Sequence, residues 1–135
     1  MSTIEMSLGS IADILWRKTP ELRIRLAEMA ADDLRYSAER NSDVIIVSPF
    51  ELCTLFRVDI MDPAMRDGNM QMLRRSLEVI EEILALGPVP HEIYANALFH
   101  SVIDHIYPTA DPEILHAANP AAFQAMKDAY GLDRW

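Results

Sequence analysis

Apolar residues recur every three or four positions along most of the chain, the period of a helix with one buried stripe. Asn69 to Leu86 carries this most clearly, with Met70, Leu73, Leu77, Ile80 and Leu84 in one line. A helix before it is expected from roughly Thr3 to Trp16, on Ile4, Leu8, Ile11 and Leu15. Another runs from Pro20 to about Ala38, with Leu22, Leu26, Met29 and Ala30 inward and Arg23, Arg25 and Asp32 outward. After Asn69–Leu86 comes a stretch from about Pro90 to Ile106, placing Ile93, Ala97 and Val102 near Leu98 and Phe99, and Pro108 ends it. Gly87 and Pro88 form a stop, and the short Gly87–Pro90 link forces the two flanking helices antiparallel. Two short helices follow, Pro112–Ala118 and Pro120–Tyr130, the last closed by Gly131.

Proline placement supports these boundaries. Five of the eight prolines follow a side chain that caps helix N-termini: Thr19, Ser48, Asp62, Asp111 and Asn119. A cap oxygen accepts a bond from a free N–H of the first turn, and proline at the first helical position loses no bond. Ser48 with Glu51 also has capping-box spacing. Asp43 to Phe56 is ambiguous, because Val44-Ile45-Ile46-Val47 suits a strand. A lone strand has nothing to pair with, so a connector into a helix at Pro49 is expected. The fold expectation is a single all-α domain over residues 1–135. It is a bundle of five to seven helices around the central antiparallel hairpin Asn69–Ile106.

Composition narrows what such a bundle does. The chain has 135 residues, half of them apolar, which suffices for one core and excludes disorder as the main state. Its 12 basic and 21 acidic side chains give a net charge of −9, which argues against nucleic acid as a partner. No run approaches the roughly 20 apolar residues of a membrane span, and Met1 to Ser10 lacks the pattern of a secretion signal. With Cys53 the single cysteine, a cytoplasmic protein is expected.

The charge is unevenly spread. Between Arg75 and Lys127 there is no Lys or Arg, yet Glu78, Glu81, Glu82, Glu92, Asp104, Asp111 and Glu113 all lie there. Such a face is either a solvated surface or a docking surface for a basic partner, since a field of one sign speeds encounter and rejects wrong partners. In Asp104-His105-Ile106-Tyr107-Pro108-Thr109-Ala110-Asp111 a tyrosine at a helix end lies among carboxylates, a combination that interface hot spots favour. This stretch resembles the Asp-x-Ile-Tyr-Tyr-Pro-Ser-Asp segment of the colicin nuclease immunity proteins, with one tyrosine where that family has two. More broadly, Leu73 to Trp135 looks like the small helical immunity partners of bacterial toxin systems in size, charge and layout. The resemblance implies a non-catalytic inhibitor that neutralises a basic, nuclease-like toxin domain. Its partner-binding residues would be Glu78, Glu82, Glu92, Asp104, Asp111 and Glu113, with Tyr94 and Tyr107 as apolar anchors.

Competing chemistries are less well supported. His100 and Asp104 share a helix face and His105 is adjacent, but a zinc site usually needs three convergent ligands and no HExxH-type spacing is present. Cys53 lies in an apolar stretch, where an inert thiol is the default, and there is no nucleophile elbow or phosphate-cradling loop. No metal, cofactor or catalytic residue is therefore expected. Met61, Met65, Met70 and Met72 either fill core gaps or line a groove for a peptide or partner helix. That groove would make the chain an adaptor or an oligomerising module. Trp135 either covers the core or helps an oligomer form.

Overall fold

A computed structural model describes residues 9–41, 48–86 and 92–135, and every regular element among them is helical. Helix α1 spans Ser10–Lys18; a 3-10 turn at Pro20–Leu22 leads into α2, Arg23–Glu39. Helix α3, Pro49–Phe56, passes through a π-helical turn at Arg57–Met61 into α4, Asp62–Asp67. Helix α5 is Met70–Leu84. Helix α6, Glu92–Leu98, continues through a second π turn at Phe99–Ile103 into α7, Asp104–Ile106. The chain closes with α8, Pro112–Ala118, and α9, Pro120–Tyr130. Joined through their π turns, these make seven continuous helices among the described residues, within the expected five to seven. The expected helical turns over residues 3–8, the Val44–Val47 run and the Gly87–Pro90 link lie outside the described residues.

Helix α5 is the hub. Its Leu73, Leu77, Val79 and Ile80 are fully buried, and it packs against α1, α4, α6, α8 and α9. The expected α5–α6 pairing is present, but α6 packs equally on α3, so the centre is one helix with neighbours around it. Ile11 and Leu15 from α1, Leu52 and Phe56 from α3, Leu98 and Val102 from the α6 helix and Met126 from α9 complete one continuous core. No described helix is long and apolar enough to cross a membrane.

Three caps form as local chemistry dictates. Asn69, Asp111 and Asn119 accept from the backbone N–H of Met72, Glu113 and Ala122 at 3.1, 2.9 and 3.2 Å. At the other ends, Gly68 and Gly131 take left-handed φ of 65° and 61°. There the N–H groups of Asn69 and Leu132 reach back to the carbonyls of Ala64 and Lys127. Three expected caps are corrected. Ser48 makes no side-chain cap bond. Thr19, fully buried, instead donates its Oγ1 hydrogen to the Leu15 carbonyl at 2.6 Å. Asp62 opens no separate helix, because the chain stays helical through it.

The π turn before Pro63 has a local cause. Pro63 has no N–H to offer the Asp59 carbonyl, and its ring crowds that oxygen, so the helix widens there. The Asp62 N–H instead reaches back five residues to the Arg57 carbonyl. Across the core, the second π turn is held by a side chain. Arg57 Nε donates to the Ser101 carbonyl at 2.8 Å while its Nη1 meets Asp62 Oδ2 at 2.8 Å. One guanidinium thus ties both widened turns together.

Candidate interaction surface

The acidic residues singled out in the sequence divide into two groups once the chain is folded. Glu78 and Glu82 lie one turn apart on α5, beside the C-terminal end of α1. Arg17 Nη2 donates to Glu82 Oε1 at 3.2 Å, and Lys18 Nζ lies 3.5 Å from Glu78 Oε2 and 3.9 Å from Glu82 Oε2. Arg74 adds a contact to Glu78 at 3.8 Å. The Glu82 bond raises the Arg17 pKa above its ordinary value. These carboxylates, with Glu81, line an open polar cleft of about 500 Å³ between α5 and the Ala118–Pro120 corner. Its cations, Lys18 and Arg74, come from its own walls. The cation-free stretch after Arg75 is therefore partly neutralised at α5, because helix packing brings Arg17 and Lys18 of α1 onto it.

The second group sits at the corner joining α7 to α8. Asp104 and Glu113 are exposed, and no ion pair to either is present among the described residues. Asp111 is exposed as well, with Oδ1 engaged as the α8 cap. Tyr107 stands among them, half-buried. Its ring packs on Trp135, with centroids 5.2 Å apart, and Trp135 stacks on Phe123 at 5.6 Å. Arg134 places its guanidinium 4.7 Å from the Tyr107 centroid and donates its backbone N–H and Nε to the Tyr107 hydroxyl at 3.0 and 3.3 Å. These donors hold the phenol below its ordinary pKa. The corner is therefore an aromatic platform of Tyr107, Trp135 and Phe123 with Arg134 over Tyr107, and the exposed Asp104, Asp111 and Glu113 lie close to Tyr107 along the chain. Trp135 covers the core, the first of the two roles open to it.

No family model, curated protein or solved structure matches this chain.

The remaining residues of interest are dispersed. Tyr94 is half-buried against the core. Glu92 opens α6, and its side chain lies outside the described residues. His100 stacks on Phe50 and meets Phe99 edge-on, at 6.4 and 5.3 Å. Among the described residues no three His, Cys, Asp or Glu side chains gather in a way that could hold a metal. Cys53 is fully buried, and burial pushes its thiol up to about 12. Of the clustered methionines, Met61 is fully buried, Met65 and Met72 pack on the core, and Met70 is exposed. Three of the four therefore fill the interior. Sequence reasoning missed Arg134 and Arg57. Nothing in the local pattern marks either, since their partners lie 27 and 44 residues away.

Proposed function

We propose that the protein is a non-catalytic, protein-binding inhibitor. It would be an immunity-type partner, acting in a bacterial cytoplasm, that covers a basic toxin domain with the corner between α7 and α8. The observation that supports this is the contrast in pairing. Glu78 and Glu82 already have cations of their own, whereas Asp104 and Glu113 are exposed beside an ordered aromatic platform. Carboxylates of that kind attract Lys and Arg at long range, and the fixed aromatic rings give contact area at low entropic cost. In a nuclease they would stand where nucleic-acid phosphates bind. Asp104, Asp111 and Glu113 are thus the charged contacts, with Tyr107 between them. Glu78 and Glu82 hold α1 against α5.

The test is to purify the basic domain that captures this chain from its native cell and to measure its inhibition at rising salt. Asp104→Lys and Glu113→Lys spare the α8 cap and should each weaken inhibition roughly tenfold, with affinity falling as salt increases. Glu82→Gln should leave inhibition unchanged. Affinity indifferent to salt and to both reversals would overturn the proposal.

A further inference from the structure

Helix α2 carries two apolar faces. Leu26 and Ala30, following Leu22 of the 3-10 turn, face inward and are buried. On its outer side Ile24, Ala27, Ala31, Leu34 and Ala38 are all exposed, Ile24 at 75% and Leu34 at 38%. Their spacing alternates three and four residues, the seam of a two-helix coiled coil. The solvent face of an ordinary surface helix is polar, so this second seam needs an occupant.

We propose that the seam binds α2 of a second copy of this chain, antiparallel, about a two-fold axis. Three features of the helix fit that occupant. With Leu34 set against Ala31 of the partner copy and Ala27 against Ala38, each leucine enters a gap left by an alanine, and the alanine pairs let the helices approach closely. The same register sets Glu28 against the partner copy's Arg35, and symmetry repeats the pair, so two opposite-charge contacts flank the seam. Antiparallel alignment also places each helix N-terminus beside a C-terminus, where the dipoles attract. A parallel pair would instead face Leu34 with Leu34 and Ala31 with Ala31, and align the dipoles side by side. Among the described residues, Glu28 and Arg35 of the single chain make solvated ion pairs along their own helix, to Arg25 at 3.9 Å and Asp32 at 3.2 Å. Such pairs are worth little and exchange readily.

One pair of four-turn helices covers less than the about 800 Å² per partner of a standard interface. The dimer is accordingly concentration-dependent, and it leaves the α7–α8 corner's charges out of the contact. Sedimentation equilibrium on the full chain, from low micromolar to near-millimolar concentration, measures it. Monomer–dimer exchange is expected, with Leu34→Glu raising the dissociation constant at least about tenfold while the far-UV spectrum and melting temperature stay unchanged. Glu28→Arg and Arg35→Glu should each weaken the dimer, and the double exchange should restore it. A chain that stays monomeric throughout overturns the proposal, as would a dimer indifferent to Leu34→Glu. A double exchange that fails to restore association overturns the antiparallel register. Inhibition of a basic partner is read separately, so failure of one proposal does not touch the other.

Discussion

Replacing Arg57 by methionine removes a side chain that ties the two π turns together. The long apolar stem is kept, so little packing is lost. What disappears is the Nε bond to the Ser101 carbonyl and the Nη1 contact to Asp62, each 2.8 Å long. The Arg57 side chain is 16% exposed, while Asp62 is 41% exposed. Water can therefore take over at Asp62, and screening limits that contact to under about 1 kcal/mol. Ser101 is a buried residue, so its carbonyl loses a charged donor with little access to water, a cost of about 1–3 kcal/mol. The carbonyl wins, and the total is about 2–3 kcal/mol. Urea titration followed by far-UV circular dichroism should show a lowered midpoint at unchanged slope, and the melting temperature should fall by roughly 6–10 °C. Asp62→Asn should cost under about 1 kcal/mol. The reasoning fails if Arg57→Met costs less than about 0.5 kcal/mol, or if Asp62→Asn costs as much as Arg57→Met.

Three further outcomes follow from the same structure. The Cys53 thiol, raised to about 12 by burial, should resist Ellman's reagent in native protein and react at the rate of unfolding. Because its folded pKa lies above the unfolded one, its contribution to stability is whole at neutral pH and is lost as pH rises from about 9 towards 12, which alkaline denaturation of a Cys53→Ala variant would reveal as a shallower loss. Burial opposes ionisation of Glu21, but bonds from its own backbone N–H and from Arg75 outweigh this and hold its pKa low. Its contribution is therefore present at neutral pH and lost as pH falls below the ordinary glutamate range, and Glu21→Gln should flatten the acid limb of a stability–pH curve. Asn119→Ala should cost about 1 kcal/mol by loss of a cap, whereas Ser48→Ala, at a position with no cap bond, should stay within about 0.5 kcal/mol in the same urea assay.

Most of the helical architecture was legible because its causes are local. Helix periodicity, the caps at Asp111 and Asn119, and the stop at Gly131 each depend on residues within one or two turns. Pro112–Ala118 and Pro120–Tyr130 form as their spacing implies. The same local reasoning overreached at Thr19, whose hydroxyl bonds the Leu15 carbonyl instead, at Asp62, where the helix continues, and at Ser48, which makes no cap bond. At the α7–α8 corner, sequence brought together Asp104, Tyr107, Asp111 and Glu113, which are close along the chain. It could not foresee Arg134 over Tyr107.

The sequence by itself determined which stripe of each helix is apolar and, as at Pro112–Ala118 and Pro120–Tyr130, where helices with working caps begin and end, since those follow from backbone geometry over a few residues. Only the tertiary structure decided which charges remain available. Arg17 meets Glu82 across 65 positions of chain, and Arg57 meets Ser101 across 44. Coulomb attraction and hydrogen bonding act over a few ångströms of space, and separation along the chain says nothing about that distance until the core has packed.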